Sequence, residues 1–347
     1  MTRMTRMTRT THLIRLSFLR LMAAGCLLAV GGVVRAQPPA AAPAANPLAD
    51  LATIPYQPKA ATQGAVRLAG SSTLQQAAAH WCQGFSRVHP AVKCSIDTVS
   101  SDAGLKALLD GTADVALSSR PVTDAERAAW EKRPDRRMVV VVVGFDHLVW
   151  IVHASNPVAE LPWTPEKGIL RGNAGQEQTA ARWDALNGSA EWKDVPVHVH
   201  GRGLGSGTRW HMDRLLAGAA AYHPTITEHE TEATLVEAIA ADRGGLGLVG
   251  DEHAHWPGVK RLPLVVQATA SPLSDAVIGS DRTPDCRPLF IAVAVPKEGE
   301  MPAHLRELMA YVLSYPGQLD VAKDGLLPLT RAEIHAQKEL LGWAVER

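Results

Sequence analysis

The run MVVVVVGFDHLVWIVHA, residues 138–154, is apolar almost without interruption and rich in β-branched side chains. Such a run suits a strand buried on both faces, which has no water-facing side to alternate toward. A strand of that kind belongs to a sheet covered by helices, and the preceding sequence supplies them. AVRLAG (65–70) reads as a strand. STLQQAAAHWCQGFSRVHP (72–90) reads as a helix, with Leu74, Ala78, Trp81 and Phe85 at helical spacing. KCSIDTV (93–99) is a strand, DAGLKALLDGT (102–112) a helix and ADVALSS (113–119) a strand. DAERAAWEKR (124–133) is a helix, with Thr123 before it and Asp124 in its first turn. Strands alternating with helices predict an α/β fold on a mainly parallel sheet. A chain of 347 residues is long enough for two lobes.

The start of the chain follows different rules. The first 20 residues are basic and lack any acidic residue, and LMAAGCLLAVGGVV (21–34) has the length of a signal-peptide core rather than of a membrane span. VRA before Gln37 fits a cleavage site, so residues 1–36 read as a signal peptide and the mature protein as exported and periplasmic. A lipid anchor at Cys26 is the competing reading of AAGC (23–26). Residues 37–65, rich in proline and alanine, read as a linker. In an oxidising compartment Cys82 and Cys94, on a helix and on the strand after it, are the expected disulfide, which leaves Cys286 over. No C-x-x-C occurs, which argues against a thiolate metal site. The formal net charge of zero argues against nucleic acid as a partner.

GRGLGSGT (201–208) lies between an alternating strand, VPVHVH, and a helix, TRWHMDRLLAG. Three readings compete for it. It is a flexible turn, a dinucleotide loop, or an anion cradle. The cradle gains from comparison with two other helix starts, AGSST (69–73) and VSSDAG (99–104). Each offers hydroxyls and free backbone N–H groups at the positive end of a helix, and Arg202 adds a forked cation. Two further runs, EHETE (228–232) and DEHAH (251–255), mix histidine with carboxylates as zinc sites do. Neither has the H-x-x-x-H spacing of a helical metal pair. No G-x-S-x-G and no recognisable Ser/His/Asp context is present, so an enzyme is not the expectation.

AGSSTLQ, SSDAGLKALLDGTADVALSSRP, GFDHLVWIVHASNPV, GRGLGSGT, GGLGLVG and RPLFIAV fall in an order and spacing that resemble the periplasmic phosphate-binding proteins of phosphate ABC transporters. The likeness spans residues 66–335, and R-x-x-x-S-G-T is its most specific part. It implies a two-lobed type II periplasmic-binding fold, with two crossover strands and the anion in the cleft between lobes. The lobes would run 66–157 and 158–258, with residues 259–347 returning to the first. It implies inorganic phosphate or a related oxyanion as ligand, an ABC transporter permease as partner, no cofactor, and a monomer. A sensor acting on an envelope partner would use the same cleft, and a metal-dependent enzyme is the remote alternative. Carried over by position, Ser72, Thr73 and Ser101 bind from the first lobe, and Arg202, Ser206, Gly207 and Thr208 from the second. Where the family has a carboxylate that accepts the phosphate proton, this chain has Ser119, followed by Arg120. A serine there predicts weak discrimination against sulfate, unless Asp102 or Asp146 supplies the acceptor.

Overall fold

The computed structural model describes residues 47–163, 182–186, 190–217, 225–266 and 286–343. Signal peptide, Cys26 and the cut before Gln37 lie outside them. After a short helix α1 (Pro47–Leu51), the chain forms β1 (Gly64–Gly70), a 3-10 turn (Ser72–Leu74), α2 (Gln75–Val88), β2 (Val92–Thr98), α3 (Ser101–Asp110), β3 (Val115–Ser118) and α4 (Asp124–Glu131). The long strand β4 (Arg136–His153) follows, then β5 (Leu161–Trp163), β6 (His198–Arg202), α5 (Gly207–Ala217), β7 (Ile226–His229), α6 (Glu232–Ala241) and β8 (Gly245–Gly250). A 3-10 turn (Asp251–His253), β9 (Val259–Leu262), β10 (Leu264–Val266), β11 (Cys286–Pro296) and helices α7 (Ala303–Val312), α8 (Tyr315–Lys323) and α9 (Arg331–Leu340) complete it.

Among the described residues nine strands join in one sheet, in the order β2-β1-β3-β11-β4-β8-β6-β7, with β9 also on β4. β4 is the hinge of this arrangement. Its first part, Arg136–His147, pairs with β11, and its last part, from Leu148, pairs with β8 and β9. The sheet therefore has two halves, each with its own core. Trp81 and Phe85 of α2 pack on Val66, Leu68 and Ile291 in the first half. Trp150, Met212, Leu215 and Leu248 meet in the second. The parallel pairs are the outer ones, β1 with β2 and β3, and β6 with β7 and β8. Every antiparallel pair involves β4 or β11. This is the two-lobed type II arrangement, in which β4 serves both lobes. Thr123 caps α4 in a full capping box with Glu126, as the spacing predicts.

Three sequence expectations change. Residues 47–56 are not a linker. Leu51 is fully buried and packs with Ile54 on Phe145, Leu313 and Ile334, and the Tyr56 hydroxyl donates to Glu307 (2.7 Å). The proline and alanine content masked three apolar residues, Leu48, Leu51 and Ile54, spaced for one helical face. The return to the first lobe is not at residue 259, because β9 still pairs with the far half of β4; β11 makes the return. Finally, Cys82 and Cys94 are free thiols rather than a disulfide. They stand in hydrogen-bonding contact, which raises the Cys82 thiol and lowers that of Cys94. The bridge is one oxidation away from this geometry. Cys286 lies 3.4 Å from the His147 imidazole.

Candidate anion-binding site

A cleft of about 910 Å³ opens where the two halves of the sheet face each other. Ser72 and Thr73 line it from the first helix start, and Arg202, Gly203 and Ser206 from the glycine run. These are four of the predicted contact residues, Ser72, Thr73, Arg202 and Ser206, brought to one cleft, two from each half. Ser71 is the cap residue of its turn, its hydroxyl accepting the Thr73 N–H (3.3 Å). Ser206 does the same for α5, accepting the Arg209 N–H (3.2 Å). Ser100 caps α3 through the Ala103 N–H and also lines the cleft. Three helix starts thus converge, with their hydroxyls partly committed to their own backbones.

Arg202 sits at the end of β6 with 11% of its side chain exposed. Its Nε is buried and has no hydrogen-bond partner. Nη1 stands 3.9 Å from Glu232 Oε1, an ion pair without a hydrogen bond. Burial holds the guanidinium below its ordinary range, and the charge of Arg287 adds to this. A buried cation with an unused donor is a ready partner for an anion.

The other predicted contacts, Ser101, Ser119, Gly207 and Thr208, stand behind the cleft lining. Ser119 Oγ shares hydrogen bonds with Ser71 Oγ (2.9 Å) and Ser101 Oγ (3.4 Å), and the Ser119 N–H donates to Ser101 Oγ (3.1 Å). The Ser119 carbonyl accepts from His211 Nε2 of α5 (3.2 Å). Ser119 is 1% exposed. The glycines explain the seal. At Gly205, with φ +87°, a Cβ would come within 2.9 Å of Asp102 Oδ2, and Gly205 also accepts the Asp102 N–H. Gly201 is pressed against Met212 and Ile226. The bare backbone of 201–208 lets the second lobe close onto the first.

Neither acceptor suggested for the missing carboxylate is available. Asp102 holds Arg120 Nε (2.9 Å), and Arg120 also binds Glu126 (2.7 Å), tying α3 to α4. Asp146 accepts both Nε (2.9 Å) and Nη2 (2.6 Å) of Arg287. Arg287 is the central residue that the sequence reading passed over. It is 0% exposed, donates to Thr208 Oγ1 (2.9 Å) and Thr73 Oγ1 (3.2 Å), and so links both lobes beneath the cleft. Its only mark in the sequence is a lone cation at the head of an apolar strand, RPLFIAV.

Glu232, in the first turn of α6, is the last residue of the EHETE run. Its Oε1 accepts from Thr208 Oγ1 (3.1 Å) and its Oε2 from the Gly250 N–H (2.9 Å). With Glu252 and His253 it forms a group whose donor atoms all lie within 4.8 Å of one another, a spacing that admits a metal ion. Burial pushes the Glu252 carboxyl up to about 8, and the charges of Asp146 and Glu232 reinforce the shift. EHETE and DEHAH each looked incomplete alone; the fold joins the last residue of one to the centre of the other. Beside them His200 bonds both Asp242 (3.0 Å) and His229 (3.0 Å), a chain that reaches the cleft at His229.

Comparison with known proteins agrees with this fold. The chain is 27% identical over 316 residues to the phosphate-binding protein PstS of Pseudomonas aeruginosa, covering 89% of this chain and 94% of that one. It is 26% identical over 289 residues to protein SphX of Synechococcus elongatus, covering 82% and 83%. Its fold matches that of an ABC-type phosphate transport receptor from Vibrio cholerae with a TM-score of 0.56 at 20% identity, over 76% of this chain and 100% of that one. A Clostridium perfringens protein whose structure holds bound phosphate matches at 0.54 and 21%, over 77% and 100%. The sequence model of the PBP superfamily domain matches residues 56–315, three quarters of the chain. The protein belongs to the PBP superfamily.

Proposed function

We propose that the protein binds inorganic phosphate, or a tetrahedral oxyanion like it, in this cleft. We read it as an exported, monomeric carrier rather than an enzyme, handing the ion to the permease of an ABC transporter. Arg202 carries the reading: a buried guanidinium with an unpartnered Nε, in a cleft that also bears the hydroxyls of Ser72, Thr73 and Ser206. Unpaired buried charge is costly, and an oxyanion at Nε relieves it. The phosphate-binding protein of Pseudomonas, 27% identical over 89% of this chain, supports the choice of ligand. Ser101, Gly207 and Thr208 contribute by setting the wall, Thr208 through Arg287 and Glu232.

Calorimetry of the purified mature protein with phosphate tests it. A charge-assisted hydrogen bond contributes about 1.5–3 kcal/mol. Arg202→Ala should therefore weaken phosphate binding by roughly a hundredfold. Equal affinity in the variant removes Arg202 from the site, and no binding by the wild type removes phosphate as the ligand.

A further inference from the structure

The cleft bears more carboxyl groups than cations. Glu228, Glu230, Glu232, Glu252 and Asp324 line it, against Arg202 and the imidazoles of His229 and His253. Glu228 is balanced by Arg209 (2.8 Å). Glu232 draws on Arg202 from 3.9 Å. Glu252 stands 3.6 Å from the His253 imidazole. A phosphate entering this cleft stands among more carboxyl groups than cations.

The same cleft holds a place for a positive charge. His253 Nε2 stands 3.6 Å from Glu232 Oε2 and 3.6 Å from Glu252 Oε1. Both distances are too long for hydrogen bonds. They come near the separation of about 3.4 Å between two donors that each sit about 2.1 Å from a tetrahedral ion. The donors are also well supported. Glu232 is buried and held by the Gly250 N–H and the Thr208 hydroxyl. Glu252 and His253 share the 3-10 turn that leaves β8, directly after Gly250. All three belong to one lobe, so their spacing does not depend on how the lobes close.

We propose that Glu232, Glu252 and His253 hold a divalent metal ion, zinc by the nature of the donors, and that the cleft takes phosphate together with it. One imidazole nitrogen and two carboxylate oxygens suit zinc, and three protein ligands leave a fourth position open. A phosphate oxygen fills that position while Arg202 holds the anion from its other side. The ion adds a positive charge to the cleft beside Arg202. This inference rests on the phosphate reading and names the form in which phosphate is bound.

The test uses the mature protein stripped with EDTA and dialysed. It is titrated with zinc alone, with phosphate alone, and with phosphate after one equivalent of zinc. Zinc should bind, and phosphate should bind at least roughly tenfold more tightly with zinc present, since the ion adds a direct metal–oxygen contact. His253→Ala and Glu252→Gln should each remove one equivalent of zinc and abolish the zinc-dependent gain. Their thermal melts check that both variants fold. Phosphate affinity that is the same with and without zinc overturns the inference, and so does zinc uptake that persists in full in His253→Ala. Zinc uptake without phosphate binding in either form sinks the phosphate reading, and with it the proposed co-ligand. Phosphate binding without a zinc effect sinks this inference alone.

Discussion

Gly207 lies so close to Ser119 that a Cβ on the glycine would stand 2.1 Å from the serine hydroxyl oxygen and 2.7 Å from its carbonyl. The start of α5 in the second lobe is seated directly on the end of β3 in the first. The fourth glycine of GRGLGSGT is thus a contact surface between lobes. Gly207→Ala must push backbone against backbone, and overpacking of this kind costs roughly 1–3 kcal/mol. Urea unfolding should show that loss, and phosphate affinity should fall as the lobes are held apart. An unchanged midpoint would mean the two segments yield without strain.

Ser119→Asp should act on stability and leave anion choice alone. The side chain is sealed behind Gly207 and committed to Ser71 and Ser101. A carboxylate there has no cation within its hydrogen-bond circle, and uncompensated buried charge costs roughly 3–5 kcal/mol. The expected outcome is a large fall in Tm. A variant that stays as stable as the wild type while rejecting sulfate more sharply would put Ser119 on the cleft wall after all.

Arg287 and Asp146 should behave as a unit. Arg287→Met leaves a buried carboxylate without its partner, and loss of one member of such a pair costs roughly 3–5 kcal/mol. Asp146→Leu in the same chain removes the stranded charge and should recover part of the loss. Denaturant unfolding of the two single variants and the double variant measures this coupling. Additive losses would show that the two side chains do not depend on each other.

Stability should fall in mild acid, in part because of His211. Burial holds this imidazole well below its ordinary range, and the charge of Arg287 lowers it further. The unfolded chain takes up a proton near pH 6.5 that the folded protein refuses. The contribution of His211 is therefore complete above about pH 6.5 and is lost as pH falls toward the folded value, at up to about 1.4 kcal/mol per pH unit. His211→Gln can still donate to the Ser119 carbonyl and has no proton to gain. Unfolding curves at pH 7.5 and 5.5 should differ less for the variant than for the wild type; an equal difference would exclude His211 as a source.

Oxidation should join Cys82 to Cys94 without moving the backbone, since the thiols already touch. Closing a loop of that length stabilises by about 3 kcal/mol in the chain-entropy model. Intact mass with and without reductant, alongside Tm, reads both the bond and its effect. The same mass tests for a mature chain beginning at Gln37. Alkylation of both thiols without prior reduction would argue against the bridge.

Local signals in the sequence carried far. The periodicity of 65–153 places each strand and helix of that segment, because those elements are set by neighbours three or four residues away or by unbroken apolar runs. Arg202 and Ser206, which line the cleft, could be singled out because strand, glycine turn and helix start are adjacent in sequence. The roles of Arg287 and Glu232 were hidden for the opposite reason. Their meaning comes from partners at Asp146 and Thr208, brought together by strand pairing and helix placement. The burial of Ser119 was hidden on the same ground: its neighbour Gly207 is 88 positions away, and nothing near Ser119 in sequence announces that it is covered.

The position of β11 sets an order of events as the chain is made. β11 lies between β3 and β4 in the sheet, yet it arrives more than 130 residues after β4 ends. Until residues 286–296 exist, β3 and β4 each keep a bare edge, open to pairing with any strand that drifts past. The first lobe, although encoded first, is closed last, by the same segment that delivers Arg287 to Asp146. The burial of that ion pair therefore coincides with the completion of the sheet, and the slow step of folding should be this late, long-range insertion.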